Sequence, residues 1–209
     1  CGSGSLTVSG SINILTEGYA WSSATGRTHG FSISALEVAV NYVEARLNIN
    51  QSAYIDTTGS ITALGSVNVN SEIFNTGDFG KAEASVGGSG AGAHLSLIGA
   101  TVNEARSYTS SVNNAYIRGS GSITAYALII KAKTITASNA TAKKSLSVSL
   151  LTVGSLRAAA TTGDAVSAYI YGTDIQTTNG DVGITAIGNT TAYAFCEEAG
   201  GIGLVSGSS

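Results

Sequence analysis

The sequence predicts an all-β fold, a right-handed parallel β-helix wound into a single elongated rod. Three observations carry that reading. First, Ala-Tyr-Ile occurs at Ala53-Tyr54-Ile55, Ala115-Tyr116-Ile117 and Ala168-Tyr169-Ile170. Second, Ile-Thr-Ala follows the first two copies at Ile61-Thr62-Ala63 and Ile123-Thr124-Ala125, and Ile184-Thr185-Ala186 is expected to answer them in the third. Third, the 209 residues include 27 Gly, no Pro and no Met, and only 11% are charged. Pro cannot donate to a continuous hydrogen-bond ladder, so its absence suits stacked strands. Units that recur along a chain bury a core by stacking on their neighbours.

The elements follow in order. Residues 1–52 open with two short strands, Leu6-Thr7-Val8 and Ser11-Ile12-Asn13-Ile14-Leu15, separated by a Gly turn. Their period-two alternation marks half-buried strands. The stretch Gly2 to Val8 overlays Gly119 to Ala125, so the first residues already belong to the repeat. Trp21 is followed by a polar stretch, Ser22 to Gly30, that reads as a loop or corner. Leu36, Val40, Val43 and Leu47 fall at helical spacing, and Ser34-x-x-Glu37 has the form of a capping box. The repeat overrides that helix. Val43-Glu44-Ala45-Arg46 stands before Ala53 as Val102 to Arg106 stands before Ala115 and Val153 to Arg157 before Ala168. The later copies carry Gly99, Gly154 and β-branched residues that suit strands, and equivalent positions share a conformation.

Residues 53–114 form the fullest copy, with Val67-Asn68-Val69-Asn70 pointing Val in and Asn out. Asn75-Thr76-Gly77-Asp78 has turn chemistry, and Ala82 to Val86 and Leu95 to Ile98 read as further strands. Residues 115–167 repeat the scheme in shorter form, and 168–209 begin another copy in which Val182 and Ile184 answer Val67 and Val69. The inward set is expected to be Ile55, Ile61, Val67, Val69, Ile117, Ile123, Ile170, Val182 and Ile184. An interval of 62 and then 53 residues between copies suggests two or three coils per repeat. That gives about eight to ten coils and a rod of roughly 40–50 Å at about 4.8 Å per coil.

Composition excludes several classes of function. The net charge is -3, and Lys143-Lys144 is the one adjacent basic pair. Nucleic-acid binding needs clustered Lys and Arg, so no nucleic-acid partner is expected. No apolar run approaches the roughly 20 residues of a membrane-spanning helix. Two cysteines, Cys1 and Cys196, are too few for a disulfide framework. They lie at opposite ends of the chain, so a bond within one molecule is not expected, and both are candidates for contact between molecules. Cys1-Gly2-Ser3 has the form of a mature lipoprotein start, but these residues overlay a structural repeat and not a loose tether.

No catalytic group, metal or cofactor is expected. The calcium nonapeptide Gly-Gly-x-Gly-x-Asp is absent, since Gly87 to Gly92 has Gly where Asp is required. Asp78, Asp164 and Asp181 each follow a Gly in an expected turn, which Asp favours without a metal. Cys196-Glu197-Glu198 is far in sequence from His29 and His94, so zinc lacks a ligand cluster. The acids are single and scattered, unlike the converging carboxylates of polysaccharide-cleaving enzymes. The remaining candidates are Tyr54, Tyr116 and Tyr169. Each faces outward if its neighbouring Ile faces in, and copies several coils apart would leave the rings spaced and not stacked.

Val40-Asn41-Tyr42-Val43, Ala53-Tyr54-Ile55 and Ile61-Thr62-Ala63-x-Gly65-Ser66-Val67-Asn68-Val69 resemble the repeat of giant bacterial surface and secreted proteins, the leukotoxin-like and filamentous-haemagglutinin-like adhesins. The resemblance covers nearly the whole chain as degenerate repeats, about 1–52, 53–114, 115–167 and 168–209. It implies a β-helical shaft, extracellular or at the cell surface, and no activity of its own. The expected function is an adhesin shaft or a filament subunit. Partners are further copies end to end, or continuation in a longer chain, and a host or neighbouring cell surface. Both ends stop inside a repeat, so stacking edges are expected there. A phage- or pyocin-type fibre segment and an ice-binding β-solenoid are the alternatives; the latter needs a regular Thr ladder.

Overall fold

The computed structural model describes residues 4–26, 32–77, 79–87, 94–143, 147–197 and 202–208. The first turn of the chain comprises β1 (Ser5–Val8), β2 (Ile12–Gly18), β3 (Trp21–Gly26) and β4 (Ser32–Asp56). The second comprises β5 (Ser60–Ala63), β6 (Val67–Ile73), β7 (Lys81–Val86) and β8 (His94–Arg118). The third comprises β9 (Ser122–Ala125), β10 (Leu128–Lys143), β11 (Ser147–Thr162) and β12 (Ala165–Tyr171). The fourth comprises β13 (Asp174–Thr177), β14 (Val182–Glu197) and β15 (Ile202–Ser208).

Each turn visits three sheets in the same order. β1, β5, β9 and β13 stack into a short first sheet. β2 and β3, then β6 and β7, then β10, then β14 form the second. β4, β8, the pair β11 and β12, and β15 form the third. All pairings are parallel. This is a parallel β-helix. The ladder runs on through the corners: Ile12 N–H donates to Ser66 O, Val67 N–H to Ala127 O and Leu128 N–H to Asp181 O. The stretch from 32 to 56, whose apolar spacing also fits a helix, is a strand throughout.

The size of one coil departs from expectation. Ala53 pairs directly with Ala115, and Ala115 with Ala168, so the 62- and 53-residue repeats are one level each. The described chain therefore makes about four levels and rises only ~14 Å from first to last at about 4.8 Å per level. Strand length explains the difference. β4 and β8 are each 25 residues long, so a turn is broad, and the second and third sheets face each other across its interior. Small alternating residues with no Pro let these strands run on where shorter coils would need a corner.

Two apolar clusters fill the interior. Ile55, Val67, Val69, Ile117, Ile123, Leu128 and Ile130 form one beside the first sheet, with Ile61 and Ile170 packed against it. Val43, Leu47, Ala84, Val86, Ala105 and Ala140 form the other at the far end. Between them lies a belt of buried polar side chains, among them Ser71, Ser107, Ser111, Asn113, Thr134 and Thr136. Val182 and Ile184 were expected inside, but are 45% and 47% exposed. They stand in register on Leu128 and Ile130, and no described strand covers the other edge of β14. Their row points inward at a level that is open above.

Close approach of levels explains two glycines. Gly119 has φ +123°, and a Cβ there would lie 1.9 Å from Thr57 O of the level below. Gly87 has φ +78°, and its Cβ would lie 2.0 Å from Lys143 O. Both positions combine a backbone conformation open to Gly with a neighbour that leaves no room for a side chain.

Candidate functional site

The outward tyrosines occupy the same place on β4, β8 and β12. In-register pairing of Tyr54 with Tyr116 and of Tyr116 with Tyr169 brings the three rings together. Ring centroids are 5.1 and 5.0 Å apart with interplanar angles of 8° and 3°. The expected spacing between the rings is thus overturned, because a repeat is one level and not several. The consequence for binding is direct. A sugar ring stacks on an exposed aromatic face, and the faces of Tyr116 are covered by its neighbours. The stack offers edges and hydroxyls outward.

The columns beside it are joined in the same way. Asn114 bridges Ser52 below and Ser167 above through hydrogen bonds. Arg118 pairs with Asp56 at 2.9 Å and lies 5.6 Å from the Tyr116 ring centre. The hydrogen bond to Asp56 raises the Arg118 pKa further above its ordinary range. Truncating Tyr116 to Ala is expected to cost about 1–2 kcal/mol through two lost stacked pairs. Tyr116→Phe, which keeps both, should be nearly neutral. Urea unfolding of the two variants checks this, and equal losses for both would contradict the stack.

Farther along the same face, Tyr and Arg alternate across levels. Arg46 lies 5.2 Å from the Tyr108 ring centre and Arg106 lies 5.4 Å from that of Tyr42. Arg106 pairs with Glu104 at 2.6 Å, and Arg157 of the next level reaches Glu104 at 3.5 Å. Glu44 accepts from Arg46 and from the Tyr42 hydroxyl. The Arg46 hydrogen bond, followed by that from Tyr42, holds the Glu44 carboxyl below the usual carboxylate range.

On the second sheet, an aromatic corner escaped the sequence reading. Tyr19 stacks on Phe74 at 5.5 Å and meets Phe79 edge-on at 5.7 Å. Trp21, expected to lead into a loop, instead opens β3 in register with Lys81, so Ser22 to Gly26 is strand. The readable signal is spacing. Gly18 and Ile73 are paired, as are Trp21 and Lys81, so the second level carries extra residues that turn at Gly77 (φ 62°). These extra residues form the loop that brings Phe74 and Phe79 around Tyr19.

Inside, Asp164 lies between β11 and β12, where a turn was expected. Its carboxylate accepts from the Ser111 N–H at 2.8 Å, the Ser111 hydroxyl at 2.7 Å and the Thr136 hydroxyl. Its lone pairs thus serve the polar belt. Among the described residues, no three His, Cys, Asp or Glu side chains group closely enough to hold a metal ion. Cys196 is an exposed free thiol on β14, over Ala142, while Cys1 lies outside the described residues. No described helix is long and apolar enough to cross a membrane.

The hydroxyl columns of the first sheet are short. Thr7, Thr62 and Thr124 stack in register, but Gln176 continues the column, not Thr185. Ile184-Thr185-Ala186 belongs instead to the second sheet, on Ile130-Lys131-Ala132. The third-copy counterpart of Ile123 is Ile175.

Taken together, the fold and its ladders define a parallel β-helix whose outward side chains bind level to level. Comparison with protein-family models, with curated proteins and with solved structures finds no match to this chain.

Proposed function

We propose that this chain is an extracellular structural segment, the shaft of an adhesin or a subunit that extends by stacking end to end. The observation that supports this most is where its surface chemistry goes. The tyrosine stack, the Ser52–Asn114–Ser167 column, and the Asp56–Arg118 and Glu72–Lys131 pairs all join one level to the next. Side chains used in this way stiffen a stack. Position at the cell surface rests on the resemblance of the repeats to those of bacterial surface proteins. The outer strands at either end of the stack keep an unpaired backbone edge among the described residues, and such edges accept further strands.

A phage-type fibre segment would use the same stack, and no particular residue favours it. Ice binding is less well supported, since the Thr column is one residue wide on a sheet of four-residue strands and ends at Gln176. Negative-stain microscopy of the concentrated protein tests the main reading. Rods or filaments with axial continuity are expected. A compact particle that stays monomeric at all concentrations would defeat the end-to-end assembly.

A further inference from the structure

The outer face of the third sheet changes character along its strands. Beyond the Tyr and Arg columns, towards the start of β4, β8 and β11, the outward positions are aliphatic. Leu36, Ile98 and Leu151 form one column in register. Val38 and Val153 stand on either side of Ala100 in the next, and Val40 stands on Val102 in the third. The alternation and the pairing skip just before the first column, where two successive residues are exposed, which adds Leu97 and Leu150 to the face. Val38 and Val40 are 67% and 70% exposed, among the most exposed large apolar side chains described. No outward position in this block is charged.

With ordinary side-chain areas, these aliphatic residues expose roughly 700 Å² together, above the roughly 300–600 Å² of the largest patch on a typical monomer. That is close to the roughly 800 Å² that each partner contributes to a standard interface.

We propose that this face pairs with the same face of a second copy of the chain, sheet against sheet, to form a lateral dimer. Three features select that occupant. The backbones of β8 and β11 are hydrogen-bonded on both edges, so away from the outer edge of β4 this face offers side chains and no free ladder to an extended peptide. A sheet face packs well against a second sheet face about 10 Å away. An aliphatic surface is complementary to itself, as a two-fold interface requires. The rim carries both signs, Glu44 and Glu104 beside Arg46, Arg106 and Arg157. A rim of mixed sign does not repel its own copy, whereas the chain's net charge of -3 disfavours an anionic lipid surface.

Sedimentation velocity across a micromolar concentration series tests the proposal. The chain is expected to form a dimer. The double variant Val38→Lys, Val153→Lys should be monomeric, with the melting curve of the wild-type chain at concentrations where that chain is itself monomeric, because both side chains face solvent in the monomer. If that variant folds poorly, Val40→Thr serves instead. It adds no charge and keeps strand shape, and should weaken the dimer at least about tenfold. End-to-end stacking is distinguishable, since it does not stop at two and does not depend on these residues. A chain monomeric throughout the series overturns the proposal. So does a dimer unaffected by either variant, or a monomer that binds anionic vesicles through this face.

Discussion

Replacing Val69 by Asp is expected to abolish cooperative folding, while Ile129→Asp on the same sheet leaves the unfolding midpoint almost unchanged. Val69 is 0% exposed and lies in register between Ile14 below and Ile130 above. A carboxylate there loses its water and gains no partner. The penalty is several kcal/mol, or the group folds protonated at a similar cost. Domain stabilities of about 5–15 kcal/mol leave little margin for that. Ile129 is next to Val69's partner in the same ladder, but points outward and is 45% exposed. Surface substitutions of that kind usually stay within about 0.5 kcal/mol. Urea unfolding followed by circular dichroism checks the pair. A wild-type midpoint for Val69→Asp would place that side chain outside the core and break the inward assignment of the whole sheet.

Asn113→Ala is expected to cost about 3–5 kcal/mol, as much as a core aliphatic truncation of similar size. The Asn113 side chain is 0% exposed. Its amide nitrogen donates to Ser71 O at 3.1 Å, Lys133 O at 2.8 Å and Thr134 Oγ1 at 3.0 Å, and its oxygen accepts from Gln51 Nε2 at 3.4 Å. Truncation removes the two amide hydrogens that these three acceptors share, and each buried hydrogen bond lost costs about 1–3 kcal/mol. The comparison is Asn68, whose side chain faces outward and bonds to Asn13 at 2.7 Å. Asn68→Ala should cost under about 1 kcal/mol, since water replaces what it loses. Equal losses at the two sites would contradict the belt. The belt also bears on register. A slip of one residue would take Asn113 off Gln51, and with period-two strands it would turn every inward side chain out.

Strand identity and inward faces were legible because alternation reports which side of a strand is wet. Val67-Asn68-Val69-Asn70 is a case in point, with both Val residues buried. The stretch from Leu36 to Leu47 was legible as strand only by comparison with its other copies. Coil size was not legible, because alternation does not say which residue lies on the next level. That choice alone decides whether Tyr54, Tyr116 and Tyr169 are scattered or stacked. The same blindness misplaced Ile184-Thr185-Ala186, whose spelling matches one sheet while its register belongs to another. The polar belt was hidden for a different reason. Asn113, Ser107 and Thr134 read as outward residues by type, and only their partners in facing strands make them interior. The apolar outer face on β4, β8 and β11 was hidden because Leu36, Val40, Val43 and Leu47 share a helical spacing that does not separate the outward pair from the buried one.

The claim on which everything else depends is that one repeat is one level. Cysteines placed at positions 52, 114 and 167, two at a time in a background lacking Cys1 and Cys196, test it with the shortest bis-thiosulfonate crosslinker. Ser52 pairs with Asn114, and Asn114 with Ser167. Adjacent levels put these positions about 4.8 Å apart, within reach of a short bridge, and two levels put them roughly 10 Å apart. Mass spectrometry of the digested monomer is expected to show the 52–114 and 114–167 links in high yield and no 52–167 link. Failure of both adjacent pairs to link, with each thiol modified singly, would show that copies are separated by intervening coils and would contradict the fold as described.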